Sequence, residues 1–420
     1  MRVIVIGGGI GGLALAAGLR RHGVDVAVHE RDTDLSATGG YHITLDGNAQ
    51  AALAELVAPD VLERLLASAS AVRLREPDVF WDHLGRELGQ GRVKGNDASV
   101  DVDRITLRLL LAEAAGDSLT LGRTCTGFER GPDGTVTAAF QDGASADGDL
   151  LVGADGAHSV VARRLAGGPT HRATGLVGVS GRTPADRLDA DGLRRLGPRS
   201  GLAVGPYGTA LYVGFLDPVG RAVLDAPHLR ASVTTGPTYI WGAMFPEAAG
   251  PSAPRALPGP RLRDATLDLL RRRGWGPRPL DVVERSEAED VAYYRFNAAT
   301  TDPRRMAPWP AGTATALGDA VHATPPTAGM GAGAAIRDAA RLVREIVEVR
   351  AGRKAAAVAV GDFEADMRER GAAVVALALR TVHGVLATDT RLGAPLTRAA
   401  LPLLAGAAAL RGRRTAAADG

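Results

Sequence analysis

Hydrophobic residues recur along this chain in distinct rhythms, and each rhythm predicts an element. Val3–Ile6 is a short β-branched run that stops at a cluster of glycines. Ile10, Leu13, Leu15 and Leu19 then follow at helical spacing as far as His22-Gly23, and Val24–Val28 is a second apolar run. Strand, helix, strand in that order is the opening of a βαβ unit. Helical patterns cover Gln50–Val57, Val61–Ala69 and Ile105–Ala115, with a strand-like stretch from Val72 to Asp97 between them. Thr135–Phe140 and Asp149–Val152 read as strands returning to the first lobe. From about Thr174 to Pro246 the rhythm changes. Short alternating runs such as Thr209–Phe215 and Thr238–Phe245 are separated by Gly, Pro and Asp turns, the pattern of an antiparallel sheet. Beyond the Pro-rich connection 251–260 come a helix at Leu262–Arg272, a buried strand at Ala314–Leu317 and a helix at Ala332–Val349. The remainder is Ala-rich and helical.

These elements predict an α/β protein: a Rossmann-like lobe, an inserted mixed or antiparallel sheet, and a C-terminal helical tail. The first lobe is expected to be discontinuous, from 1–72, 101–172 and 286–345. The inserted domain takes 73–100 and 173–285, and the tail 346–420. A length of 420 residues suits such a division.

Composition narrows the function classes. With 49 basic and 47 acidic residues the net charge is +2, so no global field favours nucleic acid. The single cysteine, Cys125, excludes an internal disulfide and a cysteine-based zinc site, and no metal is expected. Only Lys94 and Lys354 are lysines, which confines lysine chemistry to two positions. The N-terminal apolar run carries Gly7, Gly8, Gly9, Gly11 and Gly12, which break the helix that a secretory signal needs. No stretch reaches the roughly 18 uninterrupted apolar residues of a membrane span. The tail is cut by Arg380, His383, Asp389 and Arg391. A cytoplasmic protein, monomeric or homodimeric and away from membranes, is the expectation.

Three glycine-containing elements carry the chemistry. Gly7-x-Gly9-x-x-Gly12 lies between a strand and a helix. The first glycine permits the tight turn, the second lets a pyrophosphate approach, and the third lets helix and strand pack closely. The helix that begins at Ile10 faces the phosphates with free N–H groups. Glu30, with Arg31 beside it, ends the second strand 18 residues after Gly12, where a carboxylate binds ribose hydroxyls. Gly318-Asp319-Ala320 follows a buried strand and leads through His322, Pro325, Pro326, Gly329 and Gly331 to the helix start near Ala332. There the dipole's positive end suits negative charge. Gly153-Ala154-Asp155-Gly156-Ala157-His158-Ser159 is a third element after a strand. Alone, the second and third elements are equally a capped junction and a helix-capping turn.

In this order and at these distances, the three elements resemble the single-component FAD-dependent monooxygenases of the p-hydroxybenzoate hydroxylase type. The segment Gly318–Thr327 and Arg104-x-x-Leu107 resemble the family's patterns too, and the likeness covers about 1–345. It implies FAD as cofactor, held by Gly7, Gly9, Ile10, Gly12, Glu30, Arg31, Arg104, Asp155, Gly156, Gly318, Asp319, Gly329, Gly331 and Ala332. It also implies NAD(P)H and O2 as co-substrates, and a flavin C4a-hydroperoxide that hydroxylates an aromatic or polycyclic small molecule. Two positions depart from the family pattern: Ala162 stands where an Arg is usual, and Gly333 where an Asn is frequent.

Within that frame Pro325 and Pro326 lie beside the flavin. His42, with Tyr41 and Thr44 after the Gly39-Gly40 turn, is a candidate base for a substrate phenol. Tyr212, Phe215, Tyr239, Trp241 and Phe245 are candidate pocket aromatics. Alternation puts Tyr239, Trp241 and Phe245 on one face of their strand and Ile240, Gly242 and Met244 on the other, and the sequence leaves open which face lines the pocket. Natural-product tailoring is the favoured setting. Baeyer–Villiger insertion, epoxidation, antibiotic inactivation and binding without turnover are the alternatives. A halogenase needs a Trp-x-Trp segment and a lysine near the flavin. Trp241 is followed instead by Gly-Ala-Met-Phe, and neither lysine is placed for that role.

Overall fold

The computed structural model describes residues 1–36, 42–93, 95–218, 224 and 226–416, with side chains described as far as 406. Tyr41, the Gly39-Gly40 turn and Lys94 lie outside the described residues.

The apolar run Arg2–Ile6 forms the central strand of a five-stranded sheet, with Leu150–Gly153 and then Ala314–Ala316 on one side and Asp25–His29 and then Leu119–Thr120 on the other. Every pairing in it is parallel. Parallel strands need crossovers. The helix Ile10–Arg21 supplies the first, and Arg104–Ala115 and Gly331–Arg350 pack on it. The core of this lobe joins Val3 and Val5 to Leu13, Leu107, Ile336 and Leu342, all completely buried.

Val136–Phe140 differs from expectation. It pairs with Cys125–Arg130 and Ser145–Gly148 in a separate three-stranded antiparallel sheet, because tight turns join these neighbours in sequence. Only Leu150–Gly153 rejoins the parallel sheet.

The inserted sheet has seven strands, ordered Ala292–Ala299, His171–Pro184, Thr238–Pro246, Ala210–Leu216, Gly201–Val204, Val79–Asp82 and Glu87–Gln90. Gly201–Val204 and Val79–Asp82 pair in parallel and the other pairings are antiparallel, so the sheet is mixed. It extends to Ala299. The helices Gly259–Arg272 and Pro277–Glu284 cover one of its faces, burying Leu270 and Leu280 against Trp241 and Phe245. A small sheet of His42–Leu45, Val100–Asp103 and Ser70–Ala71 joins the two lobes.

The tail forms the helices Ala356–Ala387 and Gly393–Ala416. By length and composition the first could cross a membrane, although Arg380 and His383 interrupt its apolar run. Its residues Phe363, Met367 and Val375 are completely buried in the core of the first lobe, as in the core helix of a globular protein.

Candidate active site

A cavity of about 630 Å³ opens between the parallel sheet and the face of the seven-stranded sheet turned away from the helices Gly259–Arg272 and Pro277–Glu284, part of which is packed by Val382 and Val385 of the helix Ala356–Ala387. The glycine loop forms one end of it. Gly7 has φ of +110°, and a Cβ there would stand 2.4 Å from the Ala154 carbonyl oxygen. A Cβ on Gly12 would stand 2.1 Å from the Gly7 oxygen, so neither position admits a side chain. This close crossing lets Gly9 and Ile10 line the cavity. No side chain caps the helix Ile10–Arg21, so its first N–H groups keep their donor capacity.

Glu30 stands behind the loop rather than on the cavity wall. Its carboxylate accepts from the N–H groups of Gly8 and Asp32 at 2.5 and 2.8 Å. Arg108 braces the same corner, donating to the Gly8 carbonyl and to Asp32, both at 2.9 Å. The sequence reading did not single out Arg108, because its partners are remote in the chain. Arg31 is solvent-exposed, 3.8 Å from Asp32. Asp155 accepts from Ser159 Oγ and Val160 N and so caps the helix Val160–Ala166, while Gly156 reaches the cavity. Burial raises the Asp155 pKa against those two hydrogen bonds.

Gly318, Asp319, Pro325, Pro326, Gly329, Gly331 and Ala332 form the cavity's floor, and Arg104 lines the same cavity. Asp319 presents its carboxyl to the opening, yet the surrounding protein desolvates it and raises its pKa, opposed by His322 and Arg104. Below the floor, the completely buried His322 ring lies 2.6 Å from Asp338. Asp338 also accepts from Gly318 N and from Arg370 Nη1, both at 3.0 Å. Burial alone would lower the His322 pKa, but Asp338 outweighs it and the ring titrates above its ordinary value. His322 therefore organises the loop. The helix Gly331–Arg350 starts here without a side-chain cap. A Cβ on Gly333 would stand 3.3 Å from Ala49, so this tight packing accompanies the missing Asn.

The seven-stranded sheet resolves its two faces. Ile240, Gly242 and Met244 line the cavity with Tyr212, Tyr294 and Phe296. Phe215, Tyr239 and Phe245 do not. They are buried on the opposite face under the two covering helices, which corrects their assignment to the substrate wall. Trp241 meets the cavity edge, but its ring packs in that same outer core. Alternation marked the two sets, and only the position of the covering helices decides between them.

His42 lies at the junction of the lobes. The Tyr212 hydroxyl is 3.2 Å from its Nε2, and Asp101 Oδ2 is 3.5 Å away. A Cβ on Gly214 would fall 2.2 Å from His42 Cε1, so that glycine makes room for the ring. Asp101 is fixed by Thr44 Oγ1 and Arg75 Nη1, each at 2.5 Å. Burial would raise its pKa, but His42 and Arg75 together hold it below the ordinary carboxylate value. Burial and the Asp101 charge push the Tyr212 pKa well above its ordinary value, so this phenol stays neutral. Among the described residues no cluster of His, Cys, Asp and Glu is arranged to hold a metal ion.

The donor set fits FAD. Two uncapped helix N-termini and Arg104 converge on one cavity beside a glycine crossing that excludes side chains, a set suited to a pyrophosphate. Comparison with known proteins agrees. Residues 5–49 match an NAD(P)-binding Rossmann-like domain and residues 283–378 an FAD binding domain. Aurachin C monooxygenase/isomerase of Stigmatella aurantiaca is 30% identical over 351 residues, 82% of this chain and 80% of that one. A dual O-methyltransferase/FAD-dependent monooxygenase of Phaeosphaeria nodorum is 29% identical over 406 residues, 87% of this chain and 42% of that one. The chain thus spans less than half the length of several curated relatives it matches. Klebsiella pneumoniae HpxO complexed with FAD and uric acid superposes with a TM-score of 0.71 at 24% identity, covering 97% of this chain and 93% of that one.

Proposed function

The chain belongs to the FAD-dependent monooxygenases of the p-hydroxybenzoate hydroxylase type, and from that premise we propose that it hydroxylates an aromatic or polycyclic small molecule in natural-product tailoring. When bound, FAD supplies the transfer of one oxygen atom from O2 to the substrate, with NAD(P)H as reductant and the second oxygen leaving as water.

The chain's own residues hold, orient and exclude. The N-termini at Ile10 and Gly331 and the Arg104 guanidinium would take the phosphates and the polar edge of the cofactor, with Gly9, Gly318 and Gly329 allowing close approach. Pro325 and Pro326 on one side, and Ile240, Met244 and Phe296 on the other, keep water from the reacting centre. A substrate hydroxyl beside Tyr212 passes its proton to the Tyr212 oxygen as the Tyr212 proton moves to His42 Nε2. Asp101, 3.5 Å away, steadies the resulting imidazolium. For NAD(P)H, a cluster of cations supports docking near His158. Burial lowers the pKa of that ring, and Arg255, Arg163, Arg31 and Arg295 lower it further. In this reading 1–72, 101–172 and 286–345 bind FAD, except that the strand Ala292–Ala299 joins 73–100 and 173–285 in selecting the substrate, and 346–420 buttress both.

One observation carries the reading: phosphate-binding groups and an apolar, aromatic sheet face close on the same cavity. The test is to purify the protein and follow NADH and NADPH oxidation across a panel of phenols and polyketides. A yellow protein, substrate-stimulated oxidation and a product heavier by one oxygen are expected. A colourless protein that FAD does not reconstitute overturns the reading.

A further inference from the structure

The sheet side of the cavity holds a cation whose hydrogen bonding is incomplete. Arg75 follows the short turn Val72–Leu74 and lines the cavity beside Asp78, Ser200 and Tyr212. Its side chain is 1% exposed. Nη1 donates to Asp101, whereas Nε and Nη2 are buried without a hydrogen-bond partner. Asp101 meets the guanidinium through Nη1 alone, and makes no hydrogen bond to the other two nitrogens. In a planar guanidinium the Nε–H and one Nη2–H lie parallel along a single edge. Leaving two donors of a charged group unmade in the interior is costly, so such an edge calls for an acceptor.

We propose that Arg75 anchors the substrate through this edge, and that the substrate therefore carries a planar pair of oxygens. A carboxylate has that shape, and so does a ketone flanked by a phenolic or enolic hydroxyl. Either satisfies both donors, whereas a lone hydroxyl satisfies one and strands the other. Asp101 contacts both Arg75 and the His42 that meets Tyr212, so the anchored ring is brought beside the Tyr212 hydroxyl. The inference deepens the proposed function, because it takes the sheet side of the cavity as the substrate's place.

Calorimetric titration of the FAD-loaded protein with naphthoate, an ortho-hydroxyacetonaphthone and naphthylmethanol tests it without turnover. Naphthoate or the hydroxyketone should bind at least about tenfold tighter than naphthylmethanol. Whichever of the two binds tighter identifies the carboxylate or the keto-phenol as the anchored group. Arg75→Lys keeps a cation for Asp101 but lacks the two-donor edge. It should lose the preference while keeping its melting temperature and its affinity for naphthylmethanol. Equal affinities in the unmodified protein overturn the proposal. So does an Arg75→Lys variant that retains the preference, or one that loses affinity for all three ligands alike. If that variant does not fold, the comparison on the unmodified protein decides. Selective binding without any oxygenation overturns the proposed reaction and leaves the anchor standing. Oxygenation without selectivity in binding does the reverse.

Discussion

At the scale of single residues, buried ionisable groups divide between chemistry and structure. Tyr212 stays neutral because burial and Asp101 raise its pKa, which in the proposed reaction suits a relay rather than a base. Tyr212→Phe should lower kcat on a phenolic substrate about a hundredfold at neutral pH. The deficit should shrink as pH passes the substrate's own pKa, because a phenolate has no proton left to relay. A kcat profile against pH for both proteins checks this. His322 is structural, and its sign is the usual one for a histidine paired with a carboxylate. Its folded pKa lies above the ordinary 6.5, so the stability it contributes is complete below about 6.5 and is lost as pH rises through the raised value. Asp338 is shifted the other way: burial would raise its pKa, but His322 and Arg370 hold it low, and its contribution disappears only in acid. Thermal melts of His322→Gln should therefore lack part of the alkaline decline seen in the unmodified protein.

At the scale of elements, one strand serves two cores. Thr238–Pro246 turns Trp241 and Phe245 toward the covering helices and Ile240 and Met244 toward the cavity. Phe245→Ala should cost about 3–5 kcal/mol of stability and leave KM nearly unchanged. Met244→Leu should cost less than about 1.5 kcal/mol and shift KM. Denaturant titration and steady-state kinetics on both variants separate the effects. The same strand shows where the sequence is legible. The glycine loop, the Gly318-Asp319 loop and the Gly153–Ser159 turn were readable because each is local: a strand, a turn and a helix start within a few residues. Pocket aromatics were half readable. Period-two alternation sorts the residues, but Gly259–Arg272 and Pro277–Glu284 choose the buried face, and they follow in the chain with no residue-level mark of where they dock. The pairs Arg75–Asp101 and His42–Tyr212 were not readable as pairs. Each joins segments that meet only through the small sheet between the lobes.

At the scale of the whole molecule, the C-terminal helix Ala356–Ala387 packs on the cofactor lobe through Phe363 and Met367 and on the seven-stranded sheet through Val382 and Val385. Arg370 reaches Asp338, Thr327 donates to the Ala378 carbonyl, and Thr381 touches the cavity itself. A Cβ on Gly371 would stand 2.9 Å from His322, so the helix axis lies close against the floor loop. Arg370→Met should leave Asp338 buried with one cation fewer and loosen that loop. The expected result is a melting temperature lower by several degrees and faster flavin loss on gel filtration, read from flavin absorbance relative to protein.

The two-faced sheet also bears on how such a protein changes over generations. Two helices pack on its outer face, and on its inner face Met244 and Phe296 share a smaller core with Val382 and Val385 of the helix Ala356–Ala387, so the positions on the inner face are not equally free to change. Substitutions at Ile240, which belongs to neither core, can then accumulate without unfolding the wall that bears it. A fold arranged in this way can exchange one substrate for another by drift at a few positions, while its outer core and its glycine crossing stay as they are.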